Sequence, residues 1–298
     1  MKFFAKSCGI GLSVLVSYLG YQSDLQAAEF HFPTSASVTY VTTSEADIDN
    51  TQQQLQRDEF MFRARTTIPL TQRWSVSLGG GYDRLNYDWG QKNQALFNNL
   101  GAWPTVDRYN ASVAVSYVFS PRWVFMVAPT VQYAYAEGTS ASNAQSYGVL
   151  GSAMMRLDNG SMIGFGLAYL NDIEEVRILP YVSVSWQITD KLRLGNPFSA
   201  GFSGGGGLEL SYQMSDRFDV GVGASSRTER FLVRDDDVVM EISDIVSFVR
   251  AGWHATSALT INGYLGYYFN SELELSEPNM DMDMDNQLAM GLSIGFDF

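Results

Sequence analysis

Residues 287–298 read QLAMGLSIGFDF, so that Leu288, Met290, Leu292, Ile294, Phe296 and Phe298 alternate with Ala289, Gly291, Ser293, Gly295 and Asp297. A period of two places the large apolar side chains on one face of an extended strand and the small and polar ones on the other. The same alternation recurs from residue 35 onward in runs of nine to fifteen residues. In 106–119, Tyr109, Val113, Val115, Tyr117 and Phe119 share one parity and Arg108, Asn110, Ser112 and Ala114 the other. Helical spacing of three to four does not fit these runs. An open sheet with an apolar outer face would leave backbone groups unsatisfied in lipid, whereas a closed one satisfies them all. The alternation therefore predicts an all-β chain, a transmembrane antiparallel up-and-down β-barrel.

Counting the runs gives about fourteen strands: 35–44, 58–68, 73–86, 106–119, 123–135, 146–157, 161–170, 176–187, 191–196, 207–214, 218–233, 240–255, 259–270 and 287–298. If the glycine-rich stretch 201–207 folds inward instead of closing a hairpin outside, the count falls to twelve. Short connections such as Asp158-Asn159-Gly160 are tight hairpin signals. They alternate with longer segments around 45–57, 88–105, 136–146, 196–206, 235–240 and 271–286, apart from a brief one at 171–175. Barrels of the outer membrane keep short turns in the periplasm and long loops outside. Both termini are accordingly expected in the periplasm, with an even strand number.

The first 28 residues follow a different rule. Lys2 and Lys6 precede the short apolar core GIGLSVLVSYL, and LQAA at 25–28 ends in small residues, which reads as a signal peptide cleaved after Ala28. Residues 29–298 then form one barrel domain destined for the outer membrane of a Gram-negative-type cell. Cys8 is the only cysteine, so residues 29–298 hold no thiol for a disulfide, a metal or catalysis. They carry 17 basic and 31 acidic side chains, an unfavourable surface for nucleic acid. The terminal Phe298 resembles the C-terminal aromatic signal presented to the barrel-assembly machinery, an expected partner together with outer-membrane lipid and lipopolysaccharide.

The stretch VRILPYVSVSWQITDKLRLGNP, followed by LELSYQMSDRFDVGVGA, resembles the central signature of a family of uncharacterised outer-membrane β-barrels whose domain is of unknown function. Arg177, Pro180, Trp186, Gln187, Thr189, Asp190, Lys191, Ser215, Asp216 and Arg217 match it, and Leu192 and Phe218 stand where Trp is more usual. The resemblance implies the barrel fold and supplies no catalytic residues.

Candidate functional residues lie on the polar parity: Arg63, Arg65, Arg108, Arg156, Arg177 and Arg250, with Glu59, Asp83, Glu209, Asp219 and Glu229. Fixed arginines in a narrow passage attract anions and set its selectivity. The same residues could instead pair with one another and fill a closed barrel, because buried charges need partners. Lumen glycines, among them Gly148, Gly166, Gly252 and Gly291, leave room for a passage or ease curvature. Asp281, Asp283 and Asp285 alternate in the 271–286 segment and offer hard oxygen ligands for a divalent metal, although the twelve-residue calcium loop is missing.

Trp89 and Trp103 bracket QALFNNLGAW, read either as a short helix folded into the mouth or as a self-packed loop. His31 and His254, the only histidines, fall at the short-turn end, away from outer-leaflet lipid, so lipid hydrolysis is not expected. No nucleotide loop, zinc motif or redox centre is present, and no cofactor is expected. The reading that follows is a passive channel or transporter of a small solute, with a closed barrel that presents acidic loops to ions or lipopolysaccharide as the alternative.

Overall fold

The computed structural model describes residues 32–90, 102–173, 175–196, 202–204, 206–235, 237–277 and 279–298. The predicted signal peptide and most of the 88–105 loop lie outside the described residues. One sheet contains β1 Thr34–Thr43, β2 Ala46–Asp47, β3 Gln54–Pro69, β4 Trp74–Trp89, β5 Thr105–Ser120, β6 Trp123–Ala136, β7 Gln145–Arg156 and β8 Met162–Asp172. It continues through β9 Glu175–Gln187, β10 Leu192–Gly195, β11 Gly206–Gln213, β12 Phe218–Arg234, β13 Val238–His254, β14 Leu259–Leu275, β15 Met280–Met284 and β16 Gln287–Asp297. Neighbours in sequence are neighbours in space, and β1 pairs with both β16 and β3, which closes the sheet. β2 and β15 are upward extensions of β1 and β16: Ser271 opposes Met284 in the register that sets Tyr268 against Gln287, and Ile48 bridges to Met284. The wall thus has fourteen strands.

Outward side chains form the apolar band that the alternation predicts. Val127, Phe165, Leu167, Ile178, Val182 and Met290 are among the exposed apolar residues. A surface of this extent is stable only against lipid. Trp74, Phe119, Trp186, Phe218 and Trp253 lie toward the end that carries the short turns and Phe298, as a headgroup belt does.

Those turns share one device. Thr71, Ser120, Thr189, Ser215 and Thr256 each accept backbone N–H bonds two and three residues on, for example from Lys191 at 3.3 Å and Leu192 at 3.0 Å to Thr189. The hydroxyl satisfies donors that a hairpin end leaves over. The Thr-Asp-Lys and Ser-Asp-Arg elements of the family-like signature are therefore turn chemistry.

At the opposite end three expected loops prove shorter. β3 begins at Gln54, the β12–β13 turn occupies only 235–237, and β14 with β15 takes up much of 271–286. Leu273, Leu275, Met282 and Met284 still point inward and are buried. Only the outer parity changed, from apolar to Glu272, Glu274, Asp281 and Asp283, because these strands have risen above the apolar band. A bulge between Ser243 and Ile245, opposite Asn270 at φ +51°, bends the β12–β13 hairpin. Its outer end crosses the mouth, where Leu232 bridges to Tyr135 of β6 and Asp235 accepts from Ser140 N–H at 2.6 Å.

Candidate functional site

Among the described residues, the lumen is where the wall gathers its buried polar groups. At the short-turn end it opens into a cavity of about 650 Å³ lined by Arg63, Arg65, Asn110, Lys191, Arg193, Arg250 and His254, with Asp190, Asp219 and Asp297 opposing them. Inward parity on β3, β5, β10, β12, β13 and β16 delivers these side chains, with Asp190 and Lys191 added by the β9–β10 turn. Arg250 holds Glu209 at 2.9 Å and Asn262 at 2.8 Å and pairs with Asp219. His254 connects Asp219 at 2.9 Å with Thr260 at 3.3 Å, so its partners lie across neighbouring strands and not in its own turn.

Further up, the charges interlock. Asp83 takes Arg63 Nη2 at 2.8 Å and Arg108 Nε at 2.9 Å. Arg108 also meets Glu229 at 3.4 Å, and Arg227 joins Glu229 to Glu59. Arg57, fully buried, is bidentate on Asp244 at 2.8 and 3.1 Å and reaches Gln287, whose amide nitrogen bonds Thr43 Oγ1, Ser44 O and Leu55 O. Arg177 pairs with Asp172 at 2.5 Å and Glu241 at 3.3 Å. A lattice of this kind is tolerated only because each charge has partners; removing one strands the others in a dry interior.

One inward step along β16 from the cavity-lining Ser293 sits Phe202. It comes from the β10–β11 connection, not from a wall strand, and is fully buried among Val41, Met61, Val246, Phe248, Tyr264, Tyr268 and Ala289. Its ring stacks on Tyr264 at 5.0 Å, and its carbonyl accepts from Tyr268 Oη at 3.2 Å. Gly266 and Gly291 are its seat: a Cβ there would lie 2.6 Å from the ring in each case. The glycine-rich stretch thus does turn inward, yet β10 and β11 still pair and the strand count stays at fourteen. Other lumen glycines make room for neighbouring side chains in the same way, Gly166 for Tyr181 and Gly252 for Asp219 and Arg250. The free space expected from them is filled at these positions, whereas Gly295 borders the open cavity.

A second closure lies at the far mouth. Trp89, Trp103, Tyr87, Phe231, Leu85 and Ile242 belong to a buried apolar cluster, with Trp89 and Trp103 ring centroids 5.1 Å apart and Trp89 Nε1 donating to Trp103 O at 3.0 Å. The two tryptophans bracket the mouth residues as a packed pair, while the helix envisaged between them lies outside the described residues.

All eleven residues assigned to the lumen face from the sequence share inward parity in the structure. The structure brings Arg63, Arg108, Glu59 and Asp83 into one network, Arg177 into a second and Arg250 into a third, while Arg65 lines the cavity. Arg156 shares the parity of Met154 beside a short turn, outside these networks. Arg57, Arg227, Arg230 and Asp244 were missed. Arg57 and Arg227 stand two residues before Glu59 and Glu229, a same-face spacing that could have found them. Arg230 has outward parity and meets Glu241, its direct cross-strand partner, at 2.9 Å. Asp281 and Asp283 are exposed on the outer face, opposite Glu274 and Glu272, and no metal-ligating group of three or more side chains occurs among the described residues.

A family model described as a domain of unknown function (DUF6268) matches residues 25–296. No curated protein matches the chain. Among solved structures, the chain is similar to the COG4313 outer membrane channel of Pseudomonas putida at 10% identity and TM-score 0.47, covering 92% of this chain and 100% of that one. The Pseudomonas putida toluene transporter TodX matches at 10% identity and TM-score 0.44, over 91% and 90% of the two chains. OprB from Pseudomonas putida matches at 10% identity and TM-score 0.44, over 90% and 94%.

Proposed function

This chain belongs to the DUF6268 family, a domain of unknown function, and from that premise we propose that it is an outer-membrane channel for a small solute, closed in the conformation described. The observation that carries the proposal is the character of the lumen. A charged, hydrogen-bonding interior joined to an open cavity lies between two apolar closures, and the inner closure, Phe202, is carried by a connection that is not part of the wall. Inward-folded segments that constrict a barrel are a general way of making a wide sheet selective. The outward apolar band supports an outer-membrane location, where the short-turn end with its cavity would face the periplasm.

The cavity lining counts five basic side chains against three carboxylates, which favours anions at that end. A sealed barrel is the second reading, favoured by the depth of the far apolar cluster. Single-channel recording separates the two. Wild type is expected to be mostly silent, and a Phe202→Ala/Trp103→Ala double variant to conduct with anion preference that falls when Arg63 and Arg65 are changed to Ala. A folded, heat-modifiable double variant that never conducts would establish the sealed barrel.

A further inference from the structure

The tip of the β12–β13 hairpin lies inside the rim of the opposite wall. β7 to β11 separate β6 from β12 along the sheet, yet Leu232 bridges to Tyr135. Arg230 and Leu232 continue the outward parity of Val220 and Val222, and Glu241 and Val239 are their cross-strand partners. Arg177 on β9 shares the inward parity of Leu179 and Tyr181. Glu241 Oε2 nevertheless accepts from Arg177 Nη1 at 3.3 Å as well as from Arg230 Nη1 at 2.9 Å. The outer face of one strand pair meets the inner face of another only where the first has passed inside the second. Residues 228–242 are therefore a tongue tucked into the far mouth.

The two faces of this tongue are held differently. Phe231, Val238, Met240 and Ile242 on its lumen face join the large apolar cluster of Trp89 and Trp103. Its other face offers Leu232 and Val239 to Ala144, Ile173 and Tyr135. The remaining contacts of that face, among the described residues, are polar. Arg230 reaches Glu175 at 3.4 Å and Ile173 O at 2.9 Å, and Arg177 ties Glu241 to Asp172. At the very tip Asp235 accepts from Ser140 N–H at 2.6 Å, and its carbonyl from Asn143 Nδ2 at 3.4 Å. Glu175 is exposed, so water and salt compete at this bolt. Parting here uncovers a few apolar side chains, whereas parting on the lumen face would open a core.

A hinge lies at the base. Asp244 is the bulge residue of β13, held by Arg57 of β3 at 2.8 Å and by Ser271 Oγ at 2.6 Å. Asn270 on β14 stands at the same level with φ +51°. Above this line β13 stays laddered to β14 as far as Met240 opposite Leu275, so the two tips bend together over a base fixed to β3. We propose that the tongue is the gate of the far mouth, opening along its seam with β6–β9 by bending at Asp244 and Asn270, with the Arg177–Glu241–Arg230 bolt holding it shut. The gate rests on the channel reading, to which it supplies the moving part at the far end.

The test reads thiol access in the folded, heat-modifiable barrel. Ala144→Cys places a thiol at a fully buried position of the seam, and Ala289→Cys places one at a fully buried position below the hinge. Arg230→Gln removes the charge that contacts Glu175, Glu241 and Ile173 O. Loss of these charge-assisted bonds is expected to raise the sulfonated-maleimide labelling rate at position 144 by roughly 10–100-fold and to leave the rate at position 289 unchanged. Arg230→Lys, which keeps the charge, should stay closer to wild type. An unchanged rate at 144 would overturn the gate, as would equal rises at 144 and 289, which mean general loosening. If the Phe202→Ala/Trp103→Ala variant conducts while the rate at 144 ignores Arg230, the gate fails and the channel stands. A rate at 144 that follows Arg230, in a barrel whose double variant never conducts, supports the hinged seam and removes the channel reading.

Discussion

Replacing Phe202 by Ala removes a fully buried side chain that fills the lumen next to the cavity. Truncating a buried Phe costs about 3–5 kcal/mol, through lost transfer energy and the void left behind. Phe202 fits that class, being fully buried and in ring contact with Tyr264 at 5.0 Å, Tyr268 at 5.9 Å and Phe248 at 6.2 Å. At about 1.4 kcal/mol per tenfold change in an equilibrium, even partial recovery by repacking leaves the seated state weakened by roughly 10²–10³-fold. The reporter is Ala289→Cys, placed beside Phe202 at a fully buried inward position in a barrel with no other thiol beyond Cys8. With Phe202 seated, Cys introduced at 289 should resist a sulfonated maleimide added to the cavity side. In the Phe202→Ala background its labelling rate should rise by about the same 10²–10³-fold, since reaction then follows the open population. Gly291→Ala should act in the same direction, because its Cβ would lie 2.6 Å from the ring. Equal labelling rates in the seated and truncated backgrounds would refute the assignment of Phe202 as a plug.

Three further outcomes follow from the same geometry. Arg57→Ala should lower unfolding stability in urea by about 3–5 kcal/mol, because Asp244 and Gln287 lose their buried partner; a loss below 1 kcal/mol would mean water reaches the site. Asp281→Asn with Asp283→Asn should raise stability by about 0.2–1 kcal/mol per cross-strand pair, since these residues oppose Glu274 and Glu272. That gain should shrink as salt is added, and a gain independent of salt would rule out repulsion as its source. Ser215→Ala should cost about 0.5–1.5 kcal/mol, measured by equilibrium unfolding, through the two N–H groups that Ser215 accepts from Arg217 and Phe218; an unchanged midpoint would show that water replaces the hydroxyl there.

The period-two pattern was enough to specify a closed antiparallel barrel and its outward and inward sets, since a strand's facing is a local property of parity and every strand must bury its backbone polarity; it left the count at fourteen or twelve, which the pairing of β10 with β11 decided. It also placed Arg63, Arg108, Arg177 and Arg250 on the correct face. Parity could not say which carboxylate each would meet, because Asp83 meets Arg63 across neighbouring strands whereas Arg227 reaches Glu59 across the lumen. Neither could it reveal that β14 and β15 rise past the membrane band, where acidic residues replace apolar ones without breaking the alternation. The bend of β12–β13 and the seating of Phe202 on two glycines depend on contacts between residues distant in sequence. Which side chains fill the space inside was therefore decided by tertiary packing, because lumen volume is a property of all fourteen strands at once and of no single one.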